Sequence, residues 1–402
     1  MSESVIQLNA PRQSVEKYQR LVWSLWIAVF LLAAIGIASI FSATTGNMAL
    51  ARGQLVYFLI GMVMVLLIQI FDYREICRWS YIFYGISIFL LLLVLIPGVG
   101  VKVNGARRWL DLGLVQFQPS ELAKLTMILL LAFYLSRPNL DLRSRKTFFT
   151  CLGIIGLTFL IILKEPDLGS SIVLFPVGLA IMFIAGIPTR FLLNFVGAVS
   201  VLIFLLIVQV LYMPSKYQFI RLEEYQKKRL KVFFHVDYAP KNASPEEKLK
   251  LQEEQFNDSY NVNQAMISVG SGGFKGLGWR NGSQIELGFL PNSVAHNDFI
   301  FSVIAEEQGF LGSLVILTLY GTLLFSGIRV ARQARDRLGK LLAIGITTLW
   351  FSQIFINIGM NVGLTPVTGL PLPLLSHGGS AGISAWVAAG VLQNIYAYRR
   401  NY

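Results

Sequence analysis

Apolar runs of about twenty residues recur along the whole chain, parted by short basic loops, and this spacing limits the fold more than any other feature of the sequence. A bilayer core about 30 Å thick takes roughly 20 mostly apolar residues per helix. On that criterion ten spans are predicted: Val22–Phe41, Leu55–Phe71, Trp79–Ile96, Pro119–Ser136, Phe148–Leu163, Leu168–Ile187, Phe191–Tyr212, Phe299–Ile328, Leu341–Gly363 and Ser376–Tyr396. The expected fold class is an all-α polytopic membrane protein. It forms one integral membrane domain over 1–402, with a long extracytoplasmic loop at 213–297 between helices 7 and 8. A chain of 402 residues that is 54% hydrophobic and 14% charged, with mean hydropathy +0.60, is neither an ordinary soluble enzyme nor a disordered chain.

Basic residues set the sidedness. Arg12, Lys17 and Arg20, then Arg74 and Arg78, Arg137 to Lys146, Arg190, Arg329 to Lys340, and Arg399 with Arg400 all fall on one side if ten spans hold. The positive-inside rule then places both termini in the cytoplasm, with an uncleaved first span. This distribution, rather than an amphipathic basic face, accounts for the net charge of +12, so no nucleic-acid partner is expected. Cys77 and Cys151 make neither a disulfide framework nor a metal motif, and His235, His296 and His377, in separate regions, make no metal site.

The opposite loops hold the candidate chemistry. A glycine-rich stretch, Val269 to Gly278, leads through Leu287-Gly-Phe-Leu-Pro291 to His296-Asn297-Asp298, and a membrane-length apolar run follows at once. Asp298 thus stands at the mouth of a helix in an apolar setting, where burial can tune a carboxylate into a base. His296 could share a proton with it or cap the helix. Lys275 precedes Gly276 rather than Ser or Thr, so the glycine-rich stretch is no nucleotide loop, and its glycines suit tight turns. Arg107 and Arg108 sit on the base-poor side, where orientation does not explain them; they suit a phosphate, or else anchor the interface. Glu121 and Lys124 share a helical face and can pair, either as a structural bridge or with Lys124 lining a polar cavity. Glu165 and Asp167 could bind a divalent cation, Mg or Mn, together with a pyrophosphate; helix capping by Asp167 is the alternative. Gln353, Asn357 and Asn361 form a polar stripe suited to interhelical hydrogen bonds. Thr365 to Ser380, with three prolines and three glycines, reads as a re-entrant loop. In the 213–297 loop, Tyr217–Phe234 suits an amphipathic surface helix and Pro240–Asp258 a mobile, charge-rich insertion.

These segments resemble the SEDS family, the RodA and FtsW polymerases of bacterial peptidoglycan. The matching stretches are Gly105-Ala-Arg-Arg-Trp109 with Phe117-Gln-Pro-Ser-Glu-Leu-Ala-Lys124, Glu165-Pro-Asp-Leu-Gly169, Tyr225 to Leu230, Gly270 to Gly278, Leu290-Pro291 with His296 to Glu307, and Asn357 to Ser380. Asn357-Ile-Gly-Met360 and Pro366 to Pro373 resemble the RodA branch more than the division branch. The resemblance implies a multi-pass polymerase of the bacterial inner membrane that joins lipid II into glycan strands during wall elongation. It implies as partners undecaprenyl-pyrophosphate-linked glycan, a class B penicillin-binding protein and other elongation-complex membrane proteins. The family's catalytic aspartate maps onto Asp298, the general base, with Arg107, Arg108, Glu121, Lys124 and His296 as substrate-binding candidates. Asn297 departs from the family's middle residue, Ser293-Val-Ala separates the Leu-Pro pair from His296, and His377 replaces a usual tyrosine. A lipid flippase or transporter, a non-catalytic scaffold of the wall-synthesis complex, and another polyprenyl-sugar transferase are the rival readings.

Overall fold

The computed structural model describes residues 21–103, 106–111, 113, 116–212, 224–239 and 244–399. Arg12, Lys17, Arg20, Arg400 and the beginning of the expected surface helix lie outside them. A helix stands at each of the ten expected spans: α1 (Trp23–Ala43), α2 (Met48–Ile70), α4 (Ser80–Leu95), α5 (Pro119–Leu135), α6 (Arg145–Lys164), α7 (Leu168–Ala185), α8 (Thr189–Tyr212), α13 (Ile300–Gln333), α14 (Arg337–Asn361) and α15 (Gly379–Ala397). Short α3 (Tyr73–Arg78) links α2 to α4. Among the described residues seven of these helices, α1, α2, α6, α7, α8, α13 and α14, are long and apolar enough to cross a membrane, and α4 is a shorter apolar helix. Their starts follow local chemistry. Asn47, Ser144 and Asp336 accept backbone amides of the first turns of α2, α6 and α14, and Pro119 opens α5 where its missing N–H leaves nothing unpaired.

Helix α14 lies at the centre, 67% of its most apolar window buried, packed on α13, α7 and α5. Helix α8 lies at the periphery, with 6% of its window buried. Helix α2 packs along α15, and no side chain stands at Gly61, where a Cβ would come within 2.7 Å of Trp386.

Two departures from the sequence reading occur at the loops. The loop between α4 and α5 folds as an antiparallel sheet, β1 (Gly100–Val103), β2 (Ala106–Asp111) and β3 (Gln116–Phe117), with Val101 opposite Trp109 and Leu110 opposite Phe117. The molecule is therefore mostly helical rather than all-α. The period-2 alternation of Val101, Lys102 and Val103 carried that signal. In the long loop, α9 (Glu224–Phe233) is followed by α10 (Pro245–Ser271), so the charge-rich stretch is regular helix from Pro245 onward. Ser244 accepts the Glu247 amide, Glu246 and Glu247 occupy the first turn, and Lys228 pairs with Glu254 at 2.5 Å and Asp258 at 3.3 Å, tying α10 to α9.

Two single-turn helices, α11 (Ser283–Glu286) and α12 (Asn292–Ala295), complete the approach to α13. Helix α13 is itself broken at Gly309, with φ 66 and ψ −160. The break separates the amides of Phe310 and Leu311 from the carbonyls of Glu306 and Glu307, which an unbroken helix would pair. The glycine-rich loop takes up all four groups. Phe310 and Leu311 donate to Gly273 and Phe274 at 2.9 and 3.2 Å, while Leu277 and Gly278 donate to Glu306 and Glu307 at 3.0 and 2.9 Å. Contact this close excludes a side chain at Gly276, where φ is 80 and a Cβ would lie 2.2 Å from the Glu307 carbonyl oxygen. Gly276→Val is expected to destabilise the protein by about 3 kcal/mol or more, read as a lower midpoint of thermal unfolding in detergent. An unchanged midpoint would remove this backbone exchange from the account of the fold.

Candidate functional site

Asp298 sits between α12 and α13, half-buried, its amide donating to the Val294 carbonyl at 3.0 Å. Two side chains of the α14 polar stripe grip its backbone: Asn357 and Asn361 each donate from Nδ2 to the Asp298 carbonyl at 3.1 Å. Both asparagines are fully buried and further tied. Asn357 donates to the Leu370 carbonyl at 2.7 Å, and Asn361 Oδ1 accepts from the Ser302 amide at 3.2 Å and hydroxyl at 2.6 Å. Of the stripe, Asn357 and Asn361 thus bond between helices with the Asp298 carbonyl as their shared acceptor, and Gln353 is buried elsewhere on α14. Opposite, the Thr365–Ser380 segment folds back irregularly with Leu370, Leu372, Leu374 and Leu375 buried. Side chains satisfy its backbone: Tyr320 donates to the Pro373 carbonyl at 2.6 Å, and Ser376 Oγ accepts the Leu372 amide at 2.8 Å and donates to the Asn297 carbonyl at 2.6 Å. Gly369 leaves room for the carboxylate, its missing Cβ position lying 3.7 Å from Asp298 Oδ2.

Charge converges on this carboxylate. Desolvation by the surrounding protein pushes the Asp298 carboxyl up to about 6, with the Arg229 and Arg108 guanidiniums holding it down and Asp167 adding to the rise. Arg108, on β2, donates from Nε to the Glu165 carbonyl at 3.1 Å and from Nη2 to the Pro166 carbonyl. Arg229, on α9, donates to the Val367 carbonyl at 3.1 Å. Asp167 starts α7 by accepting the Ser170 amide at 3.0 Å, and also accepts from Gln118 Nε2 at 3.2 Å. Beside it Glu165 is buried with both carboxylate oxygens unpartnered among the described residues. Burial, and then Asp167, pushes its carboxyl up to about 9, with Arg108 opposing.

The other sequence candidates divide. Arg107 is the strand neighbour of Arg108, partly exposed and paired in register with Lys102. His296 lies two residues before Asp298; its ring meets that of His377 at 5.3 Å between centroids, its Nδ1 contacts the Asn292 carbonyl, and burial lowers its basicity. Glu121 and Lys124 lie deeper in the bundle: Lys124 Nζ is 2.7 Å from Glu121 Oε1, the lysine side chain is 1% exposed, and Glu121 Oε2 accepts from Ser384 of α15 at 3.0 Å. In the sequence Arg229 is a charge of the expected surface helix and lies within the Tyr225–Leu230 stretch of the family resemblance, with no site role assigned. Its mixture with apolar residues signalled amphipathicity but not the fold that brings α9 to the Thr365–Ser380 loop.

The fold and site together define a multi-pass helical membrane protein with a carboxylate, flanked by guanidiniums, at one end of the bundle. The family model described as cell cycle protein, FtsW/RodA/SpoVE, matches residues 17–401, and the chain belongs to that family, also called SEDS. It is 34% identical over 374 residues to the peptidoglycan glycosyltransferase MrdB of Escherichia coli strain K12, covering 93% of this chain and 92% of that protein. Among solved structures it matches a chain of a peptidoglycan synthase complex that coordinates polymerization and crosslinking, with TM-score 0.73, 29% identity and coverage of 94% and 98% of the two chains. It also matches the rod shape determining protein RodA of Thermus thermophilus, with TM-score 0.65, 27% identity and coverage of 95% and 98%.

Removing one member of the buried Glu121–Lys124 pair strands the other charge. Lys124→Met alone should destabilise the protein by about 3–5 kcal/mol, and adding Glu121→Gln should recover most of that loss. Thermal unfolding of the two variants checks this; equal midpoints for wild type and Lys124→Met would contradict it.

Proposed function

We propose that this chain is a peptidoglycan glycosyltransferase that polymerises lipid II by inverting glycosyl transfer during wall elongation. Its relatives' activity supports the class of reaction. The observation that carries the residue assignment is Asp298, a carboxyl at about 6 whose backbone is fixed by Asn357 and Asn361. Near neutral pH such a group is ionised yet basic enough to take a proton.

In this reading Asp298 deprotonates the 4-hydroxyl of the acceptor N-acetylglucosamine. That oxygen attacks the anomeric carbon of the donor strand's N-acetylmuramic acid, and the carbon–oxygen bond to undecaprenyl pyrophosphate breaks. Arg108, Arg107 and Arg229 stabilise the negative charge developing on the leaving group. Glu121 and Lys124 act from within the bundle, positioning α5 against α15, and His296 borders the acceptor. Glu165 and Asp167 would hold a divalent cation, Mg or Mn. The unpartnered Glu165 oxygens fit such a ligand, and with no group of three acidic, His or Cys ligands among the described residues, water and phosphate oxygens would complete its shell. Bound there, the ion would add positive charge beside the pyrophosphate.

The same proposal places ten spans in the bacterial inner membrane as one domain, termini in the cytoplasm, with the 213–297 loop and the Asp298 site outside. A class B penicillin-binding protein is the crosslinking partner. Purified protein with lipid II, with and without that partner, should yield gel-resolved glycan strands. Asp298→Asn should reduce polymerisation by 10³-fold or more, about the scale of losing an essential base and its electrostatic role. Strands made equally well by the variant would move the base elsewhere. Lipid movement without glycan would favour a flippase, and neither activity from folded protein a scaffold.

The pH dependence follows from the raised carboxyl. The basic form of Asp298 dominates above about 6 and is lost below it. The kcat/KM profile should therefore fall about tenfold per pH unit on the acid side of that value. A profile flat down to pH 4.5, with the protein still folded, would rule out this ionisation.

A further inference from the structure

Beside the Asp298 site an open notch of about 460 Å³ lies between the α1–α2 turn and α12, lined by Thr44, Thr45, Asn47, Leu50, Asn292 and His296. Its size falls within the range of about 300–1,000 Å³ typical of small-molecule sites. The lining groups are hydroxyls, amides and an imidazole, with Gly46 completing the wall and the Arg280 guanidinium standing beside it, 3.2 Å from where a Cβ on Gly46 would lie. Such walls offer several neutral donors and acceptors to hydroxyl and acetamido groups, and the one guanidinium at the edge adds donors that sugar oxygens can also accept. Arg108 and Arg229, the guanidiniums assigned to the leaving group, lie at the Asp298 site and not among the lining residues of the notch.

The notch is held in shape from below. Ser42, at the end of α1, donates its hydroxyl to Glu307 of α13, and the Arg280 backbone bonds to the same carboxylate. Trp279 packs at 6.3 Å on Phe41 of α1 yet stays 52% exposed. Thr45 at φ 52 and Arg280 at φ 65 hold left-handed backbone that non-glycine residues avoid, and such conformations cluster at ligand clamps. His296 joins the two places, since its ring lines the notch and the chain reaches Asp298 two residues later.

We propose that this notch is a saccharide subsite, holding the N-acetylated sugar unit of the strand adjacent to the one that reacts at Asp298. The inference rests on the glycan-polymerase reading and adds where the uncharged part of the substrate lies.

Chitotetraose, an uncharged N-acetylglucosamine tetramer, is the probe, with binding to purified full-length protein followed by saturation-transfer NMR. Wild type and Asp298→Asn should bind it alike. Asn292→Trp, which fills the notch, should weaken binding at least tenfold. Thr45→Gly, which the left-handed backbone favours and which therefore keeps the fold, should weaken it about 3-fold by removing one hydroxyl. In lipid II assays run in parallel, Asn292→Trp should make shorter strands. No chitotetraose binding by wild type, or equal binding by Asn292→Trp, overturns the subsite even if wild type polymerises lipid II. Binding lost in Asn292→Trp supports the subsite, and absence of glycan from every preparation would then fall on the polymerase reading alone.

Discussion

A backbone amide or carbonyl that leaves a helix inside an apolar bundle must find another partner, and the architecture around Asp298 follows from that requirement. Two helical interruptions border Asp298, the α6–α7 break at 164–167 and the irregular 365–378 segment, and a third breaks α13 at Gly309 farther along the chain. Each finds partners in a neighbouring segment. Arg108 takes carbonyls of the first, Asn357, Tyr320 and Ser376 bind the second, and the glycine-rich loop exchanges four hydrogen bonds with the third. The interruptions supply the polar groups that an unbroken helical bundle would lack.

Charge is distributed by the same logic. Glu121 and Lys124, deep among helices, neutralise one another and leave no net charge. Asp298, Arg108, Arg229 and Asp167 gather at the end of the bundle with no such direct pairing of Asp298 among the described residues, so its carboxylate is both desolvated and attracted. The first arrangement tolerates buried charge, and the second uses it.

Much of this was legible in the sequence. The helices follow from twenty-residue apolar runs, and Asp298 and Arg108 stood out because hydrophobicity alone cannot explain charges there. The Asn357 and Asn361 stripe was visible as a four-residue repeat, but its target was not, since periodicity gives a face and not what the face touches. The sheet of Val101 to Phe117 was hidden in a loop too short to display more than a few alternating residues. Helix α10 was masked by its charge, because the Lys228 pairs with Glu254 and Asp258 that steady it join residues far apart in sequence. Glycines 272 to 278 announced tight backbone, yet their bonding partner across the Gly309 break is a matter of tertiary structure.

An aspartate just ahead of a helix ordinarily spends its side chain as the helix cap, bonding the free amides of the first turn. Here the cap is borrowed from another helix: Asn361 Oδ1 takes the Ser302 amide, and α13 has no cap from its own flanking side chain. The Asp298 carboxylate consequently keeps its lone pairs, with no hydrogen bond to it among the described residues, while the positive end of the short Ile300–Gln308 segment still points its way. A neighbouring amide has relieved it of structural duty, which leaves its oxygens available for a proton.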